Sequence, residues 1–368
     1  MTRSTRLTLA AVAAAALAAA PARAADPSAG LKTGTPDLKS AGPLAFGPDG
    51  VLFIGDTQGA ALFAVDTGDR GPAKPEPIQV DDLAGKVAAR LGTEPQKVMI
   101  NDVAVNPASG KAYLSVSRGK GPDATPVILR VGADGKIDEV SLENVKFAKA
   151  EIPNPPSAGA PAKKGQSPRG ESITDLAYVD GRVFVAGLSN EEFSSRLISL
   201  PFPFAEQADG AAIEIYHGAH GRFETKSPVR TFVAYTINSE PYLMAAYTCT
   251  PLVKVPVADL KPGAHVKGTT IAELGNRNRP LDMIVYQKGG KDFLLLANSS
   301  RGVMKIPTEG AATADGITKP VQGTKGLGYE TVAALKGVVQ LDKLDKGHAL
   351  VLVQADSGAL DLKTVALP

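Results

Sequence analysis

"NDVAVNPASGKAYLSVSRG", residues 101–119, is the stretch on which the fold turns. Asp102 leads a run of alternating apolar and polar residues, a polar turn with Gly110 follows, and a second β-rich run ends in small polar residues. Alternation is the signature of a half-buried strand, and a glycine-bearing turn between two such runs joins them as a hairpin. Residues 174–190, "TDLAYVDGRVFVAGLSN", repeat the pattern with Asp175 in the lead and a tight Asp180-Gly181 turn. Residues 281–300, "LDMIVYQKGGKDFLLLANSS", repeat it with Asp282 leading and Gly289-Gly290 turning. Fainter copies occupy residues 42–58, 231–249 and 331–357.

Most copies are followed by a third apolar strand, such as "ALFAVD", "RLISLPF" or "GVMKIP". The leading positions are Pro43, Asp102, Asp175, Phe232, Asp282 and Val332, roughly 50 to 73 residues apart. That period is long for a solenoid and suits the blades of a β-propeller, which cover one another's faces around a ring. The expected fold is therefore all-β, a six-bladed β-propeller with seven blades as the alternative, in one domain over residues 25–368. The segment "LKTGTPDLKS" would supply an outer strand that closes the ring. Three insertions interrupt the pattern. Residues 80–98 read as a short helix capped by Asp81, with Leu83, Val87 and Leu91 on one face. Residues 153–170 are rich in Pro, Gly and Lys and read as a flexible loop. Residues 204–229 carry two of the four histidines.

Residues 1–24 have the form of a secretory leader: Arg3 and Arg6, an Ala/Leu run, then Ala22-Arg23-Ala24 as the cleavage pattern. The apolar run is too short and alanine-rich to span a membrane, so a soluble periplasmic or secreted protein is expected. Without the leader's three arginines, 37 basic residues face 38 acidic ones. A near-neutral balance gives no support to nucleic acid or an anionic membrane as partner. A single cysteine, Cys249, excludes an internal disulfide, and an unpaired thiol in an oxidising compartment invites oxidation or metal binding.

The stretch "PLAFGPDGVLFIGDTQGAALFAVD" (residues 43–66) resembles the repeat of NHL-type and gluconolactonase-type propellers. The gluconolactonase resemblance implies a divalent metal on the propeller axis, held by Glu, Asn and Asp. Ala41-Gly42 stands where that Glu belongs, while Asn101, Asp102, Asp175 and Asp282 match the other positions in kind. The absence of Trp argues against the tryptophan-docked blades of quinoprotein dehydrogenases, and no C-x-x-C-H is present for covalent haem. No Walker loop or Rossmann fingerprint sits in a suitable context, so no nucleotide cofactor is expected.

Propeller topology gathers distant segments on one face, because the loops entering the inner strands and those joining second and third strands open together. The first set contributes the ligand-binding candidates Asp102, Asp175, Asp282, Arg230 and Arg279. Capping backbone N–H groups is the plainer reading of the aspartates and holding Ca²⁺ the other; Arg230 and Arg279 are suited to neutralising them, and Arg279 also to binding a carboxylate or phosphate. The second set includes Cys249. His217-x-x-His220 should lie over the same face, beside Cys249, and two imidazoles with a thiolate suit copper or zinc. Surface histidines and an inert buried thiol are the plainer alternative.

Three functions stay open on the sequence. The first is an exported propeller with a transition-metal site at His217, His220 and Cys249, copper favoured over zinc, in metal binding or redox chemistry. The second is a non-enzymatic periplasmic module that recognises a small molecule or a protein. The third is a metal-dependent lactone hydrolase using Asn101, Asp175 and Asp282.

Overall fold

A computed structural model describes residues 30–71, 75–161, 167–204 and 208–368; the expected leader over residues 1–24 lies outside them. No helix among the described residues is long and apolar enough to cross a membrane.

Six sheets form six blades, antiparallel throughout except where Gly210–His217 pairs in parallel with His265–Lys267. In chain order the innermost strands are Leu44–Phe46, Val98–Val105, Asp175–Val179, Val229–Ile237, Pro280–Lys288 and Val338–Lys343. The second strands are apolar on both faces: Val51–Asp56 is buried at every position, and Leu294, Leu295, Leu296 and Ala297 are fully covered. Both sides of a middle strand press against neighbouring blades, so strict alternation gives way there to continuous apolar sequence. The sixth copy differs from its sequence reading. Its inner strand begins at Val338, and the residues just after Val332 form a short 3-10 turn, Ala333–Leu335.

The ring does not follow chain order. Blade 1 packs on blade 2 through Leu52, Phe63 and Tyr113, and on blade 3 through Phe53, Leu176 and Val183. Blade 2 packs on blade 6 through Val103, Leu114, Leu350 and Leu352. Blades 3, 4, 5 and 6 follow in sequence. Around the ring the order is therefore 1-3-4-5-6-2, with the first two blades exchanged.

The connection after blade 1 makes this exchange. It lays Gln79–Val80 on the outer edge of blade 6 and then forms a helix, Leu83–Arg90. Leu83, Val87 and Leu91 fill the wedge between blades 2 and 6, as their four-residue spacing predicts. The N-cap is Asp82, which accepts from Gly85 N, not the expected Asp81. The chain leaves blade 2 through Val145–Glu151, which becomes the fourth strand of blade 1. Lys32–Gly34, from "LKTG", adds a fifth strand there, while the C-terminal blade is joined by Gln79–Val80.

Sheet register aligns Pro43, Asp102, Asp175, Thr231, Asp282 and Gln340 as equivalent positions at the start of the inner strands. In ring order these read Pro43, Asp175, Thr231, Asp282, Gln340, Asp102. Aspartate occupies every second blade. Each carboxylate accepts the N–H of its own next residue (Val103, Leu176 or Met283, 2.8 Å) and one from the following blade. The cross-blade donors are Leu44, Phe232 and Leu341, at 2.7, 2.7 and 2.8 Å. Asp342, two residues further along blade 6, does the same for Lys343 N and Val105 N.

Candidate functional site

His217 ends the strand Gly210–His217, the fourth of blade 3, and a tight hairpin leads back into Arg222–Glu224. His220 N and Gly221 N both donate to His217 O, at 3.1 and 2.8 Å, and Gly221 takes φ +65° to close the turn. A side chain at Gly218 would strike Glu273 Oε1, 2.9 Å from where its Cβ would lie. This hairpin stacks the two imidazoles with ring centres 3.9 Å apart, His217 wholly buried and His220 exposed.

Glu224, the last residue of the hairpin, orients both rings. Its carboxylate accepts from His217 Nδ1 at 3.0 Å and His220 Nδ1 at 2.7 Å, with Ser227 Oγ and Arg222 Nε completing its shell. Burial pushes its carboxyl up, but the bonds and charge of the two histidines outweigh this and hold it at about 2. An ionised carboxylate only accepts, so both Nδ1 atoms carry hydrogens and Nε2 is the nitrogen each ring has left for a cation. His217 Nε2 is buried and has no hydrogen-bond partner.

Cys249 comes from blade 4, in the turn between Glu240–Tyr247 and Pro251–Pro256. Cys249 and Thr250 both sit at positive φ, +64° and +48°, which is unusual for a non-glycine residue and especially for a β-branched one. Surrounding bonds impose it: Cys249 N donates to Asn278 O, Thr250 N to Tyr247 O, and Thr250 Oγ1 to Gly275 O, at 2.8, 2.8 and 2.7 Å. A strained turn held this firmly fixes where the thiol points. One nitrogen of His217, one of His220 and Cys249 Sγ lie within 4.8 Å of one another. Bound copper or zinc would draw such donors to roughly 3–4 Å apart, given metal–ligand bonds of about 2.0–2.3 Å.

The three candidates therefore meet, but not where the repeat pattern put them. The histidines belong to the outer hairpin of blade 3 and Cys249 to blade 4, so the cluster straddles the seam between two blades, away from the axis. Beneath it, Glu273 is fully buried. Its Oε1 accepts from Gly218 N at 2.5 Å, Oε2 has no partner, and burial raises its carboxyl. Sequence reasoning missed Glu224 and Glu273. The acid four residues after His220 in "HGAHGRFE" was a legible signal for the first, and nothing local marks the second.

The axial candidates separate into two groups. Asp102, Asp175 and Asp282 are turned to backbone N–H groups and are not in the lining that holds Arg230 and Arg279. They are part-buried. Burial pushes Asp102 to about 8 and Asp175 to about 7, and raises Asp282 well above the usual range; neighbouring aspartates add to the rise in Asp102 and Asp282. Asn101 is likewise engaged, donating to Ala41 O and Ser117 Oγ.

Arg230 and Arg279 do line a cavity, a funnel of about 1050 Å³ on the same face. Arg230 Nη1 pairs with Glu171 at 2.5 Å, and its Nε donates to Thr248, the neighbour of Cys249. Arg279 follows Asn278, whose carbonyl takes the Cys249 N–H. Funnel and thiol turn thus share a wall.

No protein-family model matches this chain, and no curated protein is similar to it. Solved structures do align. A PQQ-bound aldose sugar dehydrogenase from Streptomyces coelicolor is 12% identical over 90% of this chain and 96% of its own, with a TM-score of 0.37. A Thermus thermophilus protein described as a putative oxidoreductase (glucose dehydrogenase) is 13% identical over 91% and 100%, at 0.35. The plexin A4 extracellular region is 8% identical over 92% and 40%, at 0.41. At these scores and identities the likeness carries no activity across.

Proposed function

We propose that this chain is an exported β-propeller that binds one transition-metal ion at His217, His220 and Cys249, copper in preference to zinc. The observation that carries this reading is the Glu224-oriented histidine pair, whose buried His217 Nε2 has no partner and whose other donor neighbour is a thiol. A buried polar nitrogen without a partner is costly, and a cation removes the cost. Two imidazoles and one thiolate form a three-donor set, one short of a structural zinc site, and such a set follows the general order in which copper binds more tightly than zinc. A metal held here would tie blade 3 to blade 4. The leader-like residues 1–24 support export to a compartment where an unprotected thiol is otherwise a liability.

The lactone-hydrolase reading has less support. It needs an axial metal, while Asn101 and the axial aspartates are already committed to backbone and hydroxyl partners.

The experiment is expression of the full chain in a periplasm supplied with copper and zinc, followed by metal analysis by mass spectrometry. About one ion per chain is expected in the wild type, with copper in excess over zinc, and none in Cys249→Ser. Wild-type protein recovered metal-free with a reactive thiol would sink the reading.

A further inference from the structure

The funnel beside the metal cluster has an unbalanced lining. Among its walls, Lys39, Lys97, Lys120, Arg230 and Arg279 bring positive charge and Glu171 brings the negative. Lys97 is compensated in part by Glu94 in an exposed pair at 3.4 Å, which solvent weakens. The two arginines differ from the rim lysines. The Arg230 side chain is 8% exposed and pinned at Nη1 by Glu171 and at Nε by Thr248. Arg279 reaches the same wall from blade 5 and is held down by burial first and then by the charge of Arg230, with Glu171 opposing. The two guanidiniums are close enough to feel one another, and Glu171 pairs with Arg230. Asp102, Asp175 and Asp282 are not among the lining residues and are engaged by backbone N–H groups.

The Arg230 side chain is buried and Arg279 is exposed; two like charges in one concavity repel, and an anion between them relieves this while using the planar donor edges that guanidinium offers. Ser40, Thr57, Ser117 and Thr174 add small polar groups to the lining. A volume of about 1050 Å³ exceeds what a bare inorganic ion fills and is in the range of pockets that hold metabolite-sized molecules.

We propose that this funnel is a binding site for a small organic anion whose carboxylate or phosphate group is gripped between Arg230 and Arg279. The site is independent of the metal reading, since none of the three metal candidates lines it.

The test is isothermal titration with citrate, glucose 6-phosphate, inorganic phosphate and glucose, in chelator-containing buffer so that metal plays no part. Citrate or glucose 6-phosphate should bind, the first if the recognised group is a carboxylate and the second if it is a phosphate ester. Inorganic phosphate should bind more weakly and glucose not detectably. Arg279→Gln should weaken binding at least about tenfold, and Arg279→Lys, which keeps the charge but loses the fork, should fall between. Lys346→Gln, remote from the funnel, should change nothing. Absence of binding by both organic anions overturns the proposal. So does equal binding of glucose, or unchanged affinity in an Arg279→Gln protein whose circular dichroism matches the wild type.

Discussion

Glu224 is the residue on which the candidate metal site depends most after its donors. As a carboxylate it satisfies both histidine Nδ1–H groups at once, which aligns the rings and fixes their tautomers. A glutamine there has one acceptor oxygen and one NH₂, and the NH₂ opposes a histidine N–H. Glu224→Gln should therefore fold, because the hairpin's backbone bonds are untouched, yet bind copper roughly 10- to 100-fold more weakly. Competition against a chromogenic chelator measures this. Unchanged affinity would show that the carboxylate does not set the ring orientation.

The inner strand is the element that both builds the ring and clears the funnel of acid. Four of the six carry a register shift just before the equivalent position, between Ile100 and Asp102, Val229 and Thr231, Pro280 and Asp282, and Val338 and Gln340. A bulge re-aims the following side chain; Asp102 and Asp282 follow such a shift and Asp175 does not, yet all three turn to a backbone N–H of the next blade. Asp282 then joins blade 5 to blade 6 by accepting from both Met283 and Leu341. Asp282→Ala would leave two N–H groups at a protein-enclosed seam without that acceptor. A loss of about 1–3 kcal/mol in urea unfolding is expected. Asp282→Asn keeps one acceptor and should lose less.

At the scale of the whole molecule, the aspartate on every second blade makes stability depend on pH. Burial raises these carboxyls in the folded chain, Asp342 to about 6, Asp175 to about 7 and Asp102 to about 8. Between the ordinary aspartate value near 4 and these raised values, the folded state holds more protons than the unfolded one, so stability falls as pH rises. The carboxyls held low, such as Asp69 and Glu224, act in the opposite sense, but only below about pH 4.5. The melting temperature, followed by circular dichroism because the chain has no Trp, should decline from pH 5 to pH 8. An Asp102→Asn, Asp282→Asn double variant should flatten that decline. A wild-type melting temperature that climbs over the same range would refute the assignment.

Local information sufficed for the blades. Alternation, Gly-bearing turns such as Asp180-Gly181, and the recurring Asp102, Asp175 and Asp282 are set by residues a few positions apart, and the six-bladed all-β ring was legible from them. The stripe Leu83, Val87, Leu91 marked the helix equally well. The pair His217 and His220 with Cys249 was also legible as a set of donors. Tertiary structure alone decided the order of the blades, because apolar faces of Val, Leu and Ile are chemically interchangeable and a long link between blades 1 and 2 permits either neighbour. That exchange is what places aspartate on every second blade. It was tertiary structure, too, that gave the histidines to blade 3 and Cys249 to blade 4, where the sequence reading put all three in one repeat. The hairpin carrying the histidines pairs with the outer edge of blade 3, a choice made by strand register across blades and by nothing in the hairpin's own sequence.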